Sequence, residues 1–134
     1  MTKISEIEGI GPAISEKLAK AGILTVERLL AECAGPKGRE EMAKKTGPRR
    51  EDLLTWTNHA DLFRVKGIGS ECSELLEESG VDTVPELATR KAANLVAKME
   101  EVNAKKKLVR RTPTEKMVEK WIALAKKLPK VVSH

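Results

Sequence analysis

One segment of this 134-residue chain is written twice. Ile7-Glu8-Gly9-Ile10-Gly11 returns as Val65-Lys66-Gly67-Ile68-Gly69, a shift of 58 positions. The same shift carries Ser15-Glu16 onto Ser73-Glu74, Leu18 onto Leu76, Gly22-Ile23 onto Gly80-Val81, Thr25-Val26 onto Thr83-Val84 and Leu29 onto Leu87. Further along the shift becomes 65, aligning Pro48 with Pro113, Leu53 with Val118, Trp56 with Trp121 and Ala60 with Ala125. The second copy has therefore gained about seven residues between Leu87 and Pro113. A pattern repeated at this length predicts two small units of one design, 1–58 and 59–134, meeting near Asn58.

Each copy reads as short helices separated by Gly and Pro. In the first, the expected helices are Lys3–Ile7, Pro12–Ala21, Thr25–Cys33, Arg39–Lys45 and one opened by Pro48 that carries Leu53, Trp56 and Ala60. Pro12 suits a first helical position, where its missing N–H is not needed. Gly22 suits a C-terminal stop. Gly35-Pro36-Lys37-Gly38 reads as a turn. In the second copy Asn58 is expected to cap His59–Val65, followed by helices at 70–79, after Thr83, and at 92–102. Thr112-Pro113 then opens a last helix with Met117, Trp121, Leu124 and Leu128. No stretch alternates with period two, so no sheet is expected. The fold class is all-α, two tandem five-helix units from an internal duplication.

Composition narrows the function. The chain has one Phe, two Trp and no Tyr, so its core rests on Leu, Ile, Val and Ala. Few aromatics also means few stacking platforms for unpaired bases. No apolar run approaches the roughly 20 residues of a membrane span, and the N-terminus lacks the apolar core of a signal peptide. Cys33 and Cys72 form no disulfide framework, and His59 and His134 have no ligand spacing. These features predict a soluble, cytoplasmic protein with no metal and no cofactor. Charge is uneven: residues 1–102 hold 15 basic and 18 acidic side chains, and residues 103–134 hold 10 and 2. Residues 65–88 alone carry six acids against one Lys.

The Gly-Ile-Gly stretch between two helices describes a helix-hairpin-helix. Its glycines allow a tight turn and close approach of another backbone, and Ile10 plugs the turn into the core. The N–H groups of Gly11 and the residues after it face outward at a helix N-terminus, where they suit an anion. A DNA phosphate fits such a site with no base contact. The plain alternative is a sharp turn between packed helices. Gly9-Ile10-Gly11-Pro12, Lys17-Leu18, Ala21-Gly22-Ile23 and Thr25-Val26 resemble the helix-hairpin-helix (SAM-like) domains at the N-termini of RecA-like recombinases and in several repair proteins. In those domains a second, degenerate hairpin closes each unit, and Lys45-Thr46-Gly47-Pro48-Arg49 and Arg111-Thr112-Pro113-Thr114 occupy that place. The whole chain resembles more closely a bacterial family, domain of unknown function 4332. Asn58 through Gly69, Leu75 through Val84, Glu101-Val102-Asn103, Leu108 through Arg111 and Trp121 through Pro129 carry that resemblance. It implies the fold and brings no activity with it.

The expected function is non-enzymatic, largely sequence-independent binding of duplex or structured nucleic acid through backbone phosphates. Gly9, Ile10, Gly11, Lys17 and Lys20 form the first candidate site, and Gly67 and Gly69 mark its counterpart. There Glu71, with Glu74, Glu77 and Glu78 beyond, competes with a phosphate, and Lys66 only partly offsets them. Lys44, Lys45, Arg49 and Arg50 surround one degenerate hairpin. Lys105, Lys106, Lys107, Arg110 and Arg111 precede the other, with the lysine run placed in an inserted loop. Their plain alternative is a solvated charged surface. The rival function is a protein-interaction adaptor using the acidic second hairpin and the basic C-terminal end. Trp56 and Trp121 are expected in the core, and Cys33 and Cys72 as buried apolar side chains. No nucleophile, general-base or phosphate-loop constellation is present, so no enzyme is expected.

Overall fold

Apolar residues at three- and four-residue spacings, broken by Gly and Pro, make this chain helical. The computed structural model describes residues 2–133, so Met1 and His134 lie outside the described residues. These hold eight α-helices and no strand, with one isolated antiparallel bridge between Lys3 and Thr25. The chain divides into two compact units, Met1–Asp61 with Val131–His134, and Leu62–Lys130.

The first unit opens with a 3₁₀ turn, Ile4–Glu6, rather than the helix expected over 3–7. The segment is drawn out on either side: the Ile4 N–H donates to Leu24 O at 3.2 Å and the Val26 N–H to Thr2 O at 2.9 Å. α1 (Pro12–Lys20) follows, then α2 (Val26–Cys33), capped by Thr25 Oγ1 accepting from the Arg28 N–H at 3.1 Å. α3 (Pro36–Thr46) begins three residues before the expected Arg39. The expected Gly35–Gly38 turn is instead its first turn, because Pro36 fits the first helical position. Gly38 is needed for packing: a Cβ there would stand 2.1 Å from the Glu32 carbonyl oxygen. α4 (Arg50–Leu62) starts two residues after Pro48 and runs straight through Asn58. Asn58 is therefore a buried mid-helix residue and not a cap; the expected boundary at 58/59 and the division at 61/62 both fall within α4. No Gly or Pro interrupts residues 49–66, so nothing in the sequence stops the helix there.

The second unit contains α5 (Ser70–Glu78), α6 (Val84–Ala88), α7 (Ala92–Lys106) and α8 (Glu115–Lys127). Thr83 holds the N-cap position of α6 without a side-chain cap bond. α7 is four residues longer than expected, and Lys105 and Lys106 lie in its C-terminal turn rather than in a loop, with Lys107 at its C-cap. The inserted residues lengthen a helix because Lys and Ala sustain one. Thr114, not Thr112, caps α8, accepting from the Met117 N–H at 3.2 Å. The core face of α8 is Val118, Trp121, Ile122 and Ala125; Met117 and Leu124 flank it and are exposed.

Local backbone bonding in the units recurs at the 58-residue shift. The Ile10 N–H donates to Ile7 O and the Ile68 N–H to Val65 O, both at 3.1 Å. The Ile23 N–H reaches Leu18 O at 2.9 Å and the Val81 N–H reaches Leu76 O at 2.8 Å. Each unit has its own core, with Leu18, Ile23, Leu29 and Leu53 in the first and Leu76, Val81, Leu87 and Val118 in the second, all fully buried.

Candidate functional site

The two Gly-Ile-Gly turns sit over tryptophans. Gly9 has φ +93° and Gly67 φ +101°, a backbone region that side chains disfavour. A Cβ on Gly9 would meet Trp56 Nε1 at 3.2 Å, and one on Gly67 would meet Trp121 Nε1 at 3.0 Å. Ile10 and Ile68 are buried, as plugs should be. The first glycine of each turn is thus fixed by conformation and by packing on indole.

The second glycine is different. Gly11 (φ −86°, ψ −178°) and Gly69 (φ −111°, ψ −165°) have extended backbones that any residue adopts. A Cβ on either would meet nothing within 4 Å. Both are N-caps, of α1 and α5, and neither helix has a side-chain cap bond. The N–H groups of a helix's first turn have no intrahelical partners. At α1 these are the amides around Gly11, Ala13 and Ile14, with Pro12 contributing none. No acidic residue occupies the first turn of α1, whereas Glu71 occupies that of α5.

Around the first turn the cations are exposed. Lys17 Nζ lies 3.9 Å from where a Cβ on Gly47 would be, so α1 and the end of α3 share one surface. Gly47 (φ +99°) ends α3, directly after Lys44 and Lys45. Lys44 pairs with Glu40 at 3.8 Å, Lys20 with Glu16 at 3.7 Å and Arg49 with Asp52 at 3.3 Å. All three are exposed pairs of the weak surface kind. Among the described residues, Lys17, Lys45 and Arg50 make no ion pair. Arg50 also lines a small hollow with Glu51 and Leu54.

In the second unit the basic cluster is held in a defined geometry. Lys105 and Lys106 end α7, and Lys107 follows in the left-handed conformation at φ 50° and ψ 48°. Asn103, which the sequence offered only as part of the family resemblance and with no role, clamps the segment. Its Nδ2 donates to Val109 O and its Oδ1 accepts from the Val109 N–H, both at 3.0 Å. The signal available was an Asn near a helix end, six residues before an apolar residue flanked by Arg. Arg110 and Arg111 are exposed just beyond. Lys106 is engaged by Glu78 at 2.6 Å, which joins this cluster to the acidic α5.

Arg39 was also missed. It is 4% exposed, and burial works against its charge. Its Nη1 donates to Cys33 O at 2.9 Å and Ala34 O at 3.0 Å, and its Nη2 to Ser133 O at 2.7 Å. The C-terminal residues are thereby tied into the first unit. Burial pushes the Cys33 thiol up to about 11, and the Thr57 hydroxyl opposes it. Cys72 is half-buried rather than fully buried, and burial raises its pKa as well. His59 is buried within α4, and His134 lies outside the described residues. Among the described residues no group of three or more His, Cys, Asp or Glu is placed to hold a metal ion. No helix among them is long and apolar enough to cross a membrane.

No curated protein and no solved structure matches this chain. A family model does, over residues 8–128, which takes in both Gly-Ile-Gly turns, both tryptophans and both basic clusters. The chain belongs to the family described as domain of unknown function (DUF4332).

Proposed function

We propose that the chain is a tandem duplication of two helix-hairpin-helix units and binds duplex or structured nucleic acid through backbone phosphates, without sequence preference and without catalysis. The carrying observation is Gly11. Neither its backbone conformation nor its packing calls for glycine, yet it stands at an uncapped helix N-terminus where an incoming phosphate needs an open approach. Lys17, Lys20, Lys44, Lys45, Arg49 and Arg50 are all exposed in the same unit and supply the charge. Lys107 adds support: an L-residue costs about 1–2 kcal/mol in the left-handed region, where glycine would be easier, so keeping a lysine there suggests that its cation is used.

Unit by unit the readings differ. Glu71 in the first turn of α5 and the Glu78–Lys106 pair weaken the second Gly-Ile-Gly turn as a phosphate site. They favour the adaptor reading for that turn, with Gly67 and Gly69 serving the fold and a protein contact. The test is amide chemical-shift mapping with a short duplex at low salt. The Gly11, Ala13 and Ile14 amides should shift strongly and those of Ser70 and Glu71 weakly. An unmoved Gly11 amide would remove the phosphate site from the account.

A further inference from the structure

In the first unit, the junction between the second and third helices is occupied. Val131–Ser133, a non-helical segment, returns to the α2–α3 junction. The Ser133 N–H donates to Ala34 O at 2.8 Å, Arg39 holds Ser133 O, and Val132 is buried. In the second unit the corresponding α6–α7 junction is open. A groove of about 460 Å³ is lined there by buried Ile122 and half-buried Ala92, with exposed Arg90, Lys91, Lys126 and Glu119 around them. An adjoining hollow of about 240 Å³ shares Arg90 and Lys91 and adds Lys98.

We infer that this groove docks a short peptide segment of a partner protein in which apolar and acidic residues alternate. The inference goes beyond nucleic-acid binding, and it rests on the proposed duplication for the equivalence of the two junctions. Two observations choose the occupant. The first is the precedent within the chain, where a peptide segment with one buried valine fills the matching place. The second is charge. Arg90 is already held by Glu86 and the Gly80 carbonyl, but Lys91, Lys98 and Lys126 make no ion pair among the described residues. Of these, Lys91 and Lys126 line the groove itself, where the one carboxylate is Glu119. The apolar surface of Ile122 and Ala92 suits a valine or leucine better than a phosphate, and Glu119 repels a nucleic-acid backbone.

The experiment titrates the full chain with a fluorescein-labelled peptide alternating valine and aspartate, read by anisotropy and by amide shifts. Saturable binding is expected, with shifts confined to residues 79–98 and 119–126. The Lys91→Glu, Lys126→Glu double variant should bind about tenfold more weakly. It should also accept a peptide alternating valine and lysine. Lys98→Glu provides a second, independent variant with the same direction of effect. Absence of binding, unchanged affinity in both variants, or equal affinity for an aspartate peptide lacking valine each overturns the inference. So does duplex DNA shifting the same groove amides. None of these residues belongs to the Gly11 site, so failure here is distinguishable from failure of the nucleic-acid reading.

Discussion

Gly9 and Gly11 are two residues apart, and substituting them should give opposite results. Gly9→Ala forces a Cβ into φ +93°, 3.2 Å from Trp56 Nε1. The backbone term alone is about 1–2 kcal/mol, which lowers the melting temperature of so small a unit by roughly 4–16 °C. Gly11→Ser meets neither obstacle, because its backbone is extended and its Cβ would stand in open space. Serine caps a helix as well as glycine or a few tenths of a kcal/mol better, so stability should hold within about 0.5 kcal/mol. The new hydroxyl, however, accepts from the first-turn amides and fills the mouth of the site. Losing one or more charge-assisted amide bonds to phosphate, at about 1.5–3 kcal/mol each, lowers affinity roughly tenfold to a hundredfold. Thermal unfolding by circular dichroism and duplex binding by anisotropy at low salt read the two effects. Gly11→Ser binding as tightly as the parent would refute the assignment. A large loss of stability in the same variant would refute the reasoning that leaves Gly11 free of a structural duty.

Other predictions follow from separate features. Replacing Lys44, Lys45, Arg49 and Arg50 together by Ala should flatten the dependence of log affinity on log salt by up to about 3.6, at roughly 0.9 per lost phosphate contact. Lys107→Gly should raise stability by about 1 kcal/mol while weakening DNA binding, a split that denaturant titration and anisotropy check together. Arg39→Met removes the guanidinium donor from the Cys33 and Ser133 carbonyls and leaves Ala34 O only the Ser133 N–H, and it should cost about 3 kcal/mol in urea unfolding; no loss would mean that the tail is not integral to the first unit. For Cys33, burial favours the neutral thiol in the folded state, so its contribution is intact below its ordinary value of 9.0 and lost as pH rises toward about 11. The parent should therefore lose more stability across that window than Cys33→Ala does, and equal slopes would contradict the burial argument.

Much of the fold was legible because Gly and Pro mark it. Pro12, Gly22, Thr25 and the first glycine of each Gly-Ile-Gly turn lie where their backbone chemistry predicts, and the tryptophans match because each sits under that first glycine. Other readings failed where tertiary contact decides. Gly38 looked like a turn residue but is a packing glycine, visible only once Glu32 lies beside it. Asn58 looked like a cap, yet nothing around it breaks the helix. Met117 and Leu124 were grouped with Trp121 by hydrophobicity, whereas the buried stripe of α8 runs through Val118, Ile122 and Ala125. The candidate cations were legible as charge, but their partners were not. Glu78 on Lys106 and the Asn103 clamp on Val109 bring together residues 28 and six positions apart, and no local pattern announces either. Arg39 is the clearest case. One arginine among 25 basic residues is buried because the C-terminal segment returns to it.

The central claim is binding to phosphate rather than to bases, and a salt titration of two unrelated duplexes against the unmodified chain tests it most directly. The account predicts affinities within a few-fold of each other at every salt concentration. It also predicts a linear fall of log affinity with log salt whose slope reports several displaced counterions. No binding at low salt, a strong preference for one duplex, or an affinity that salt leaves unchanged would contradict it.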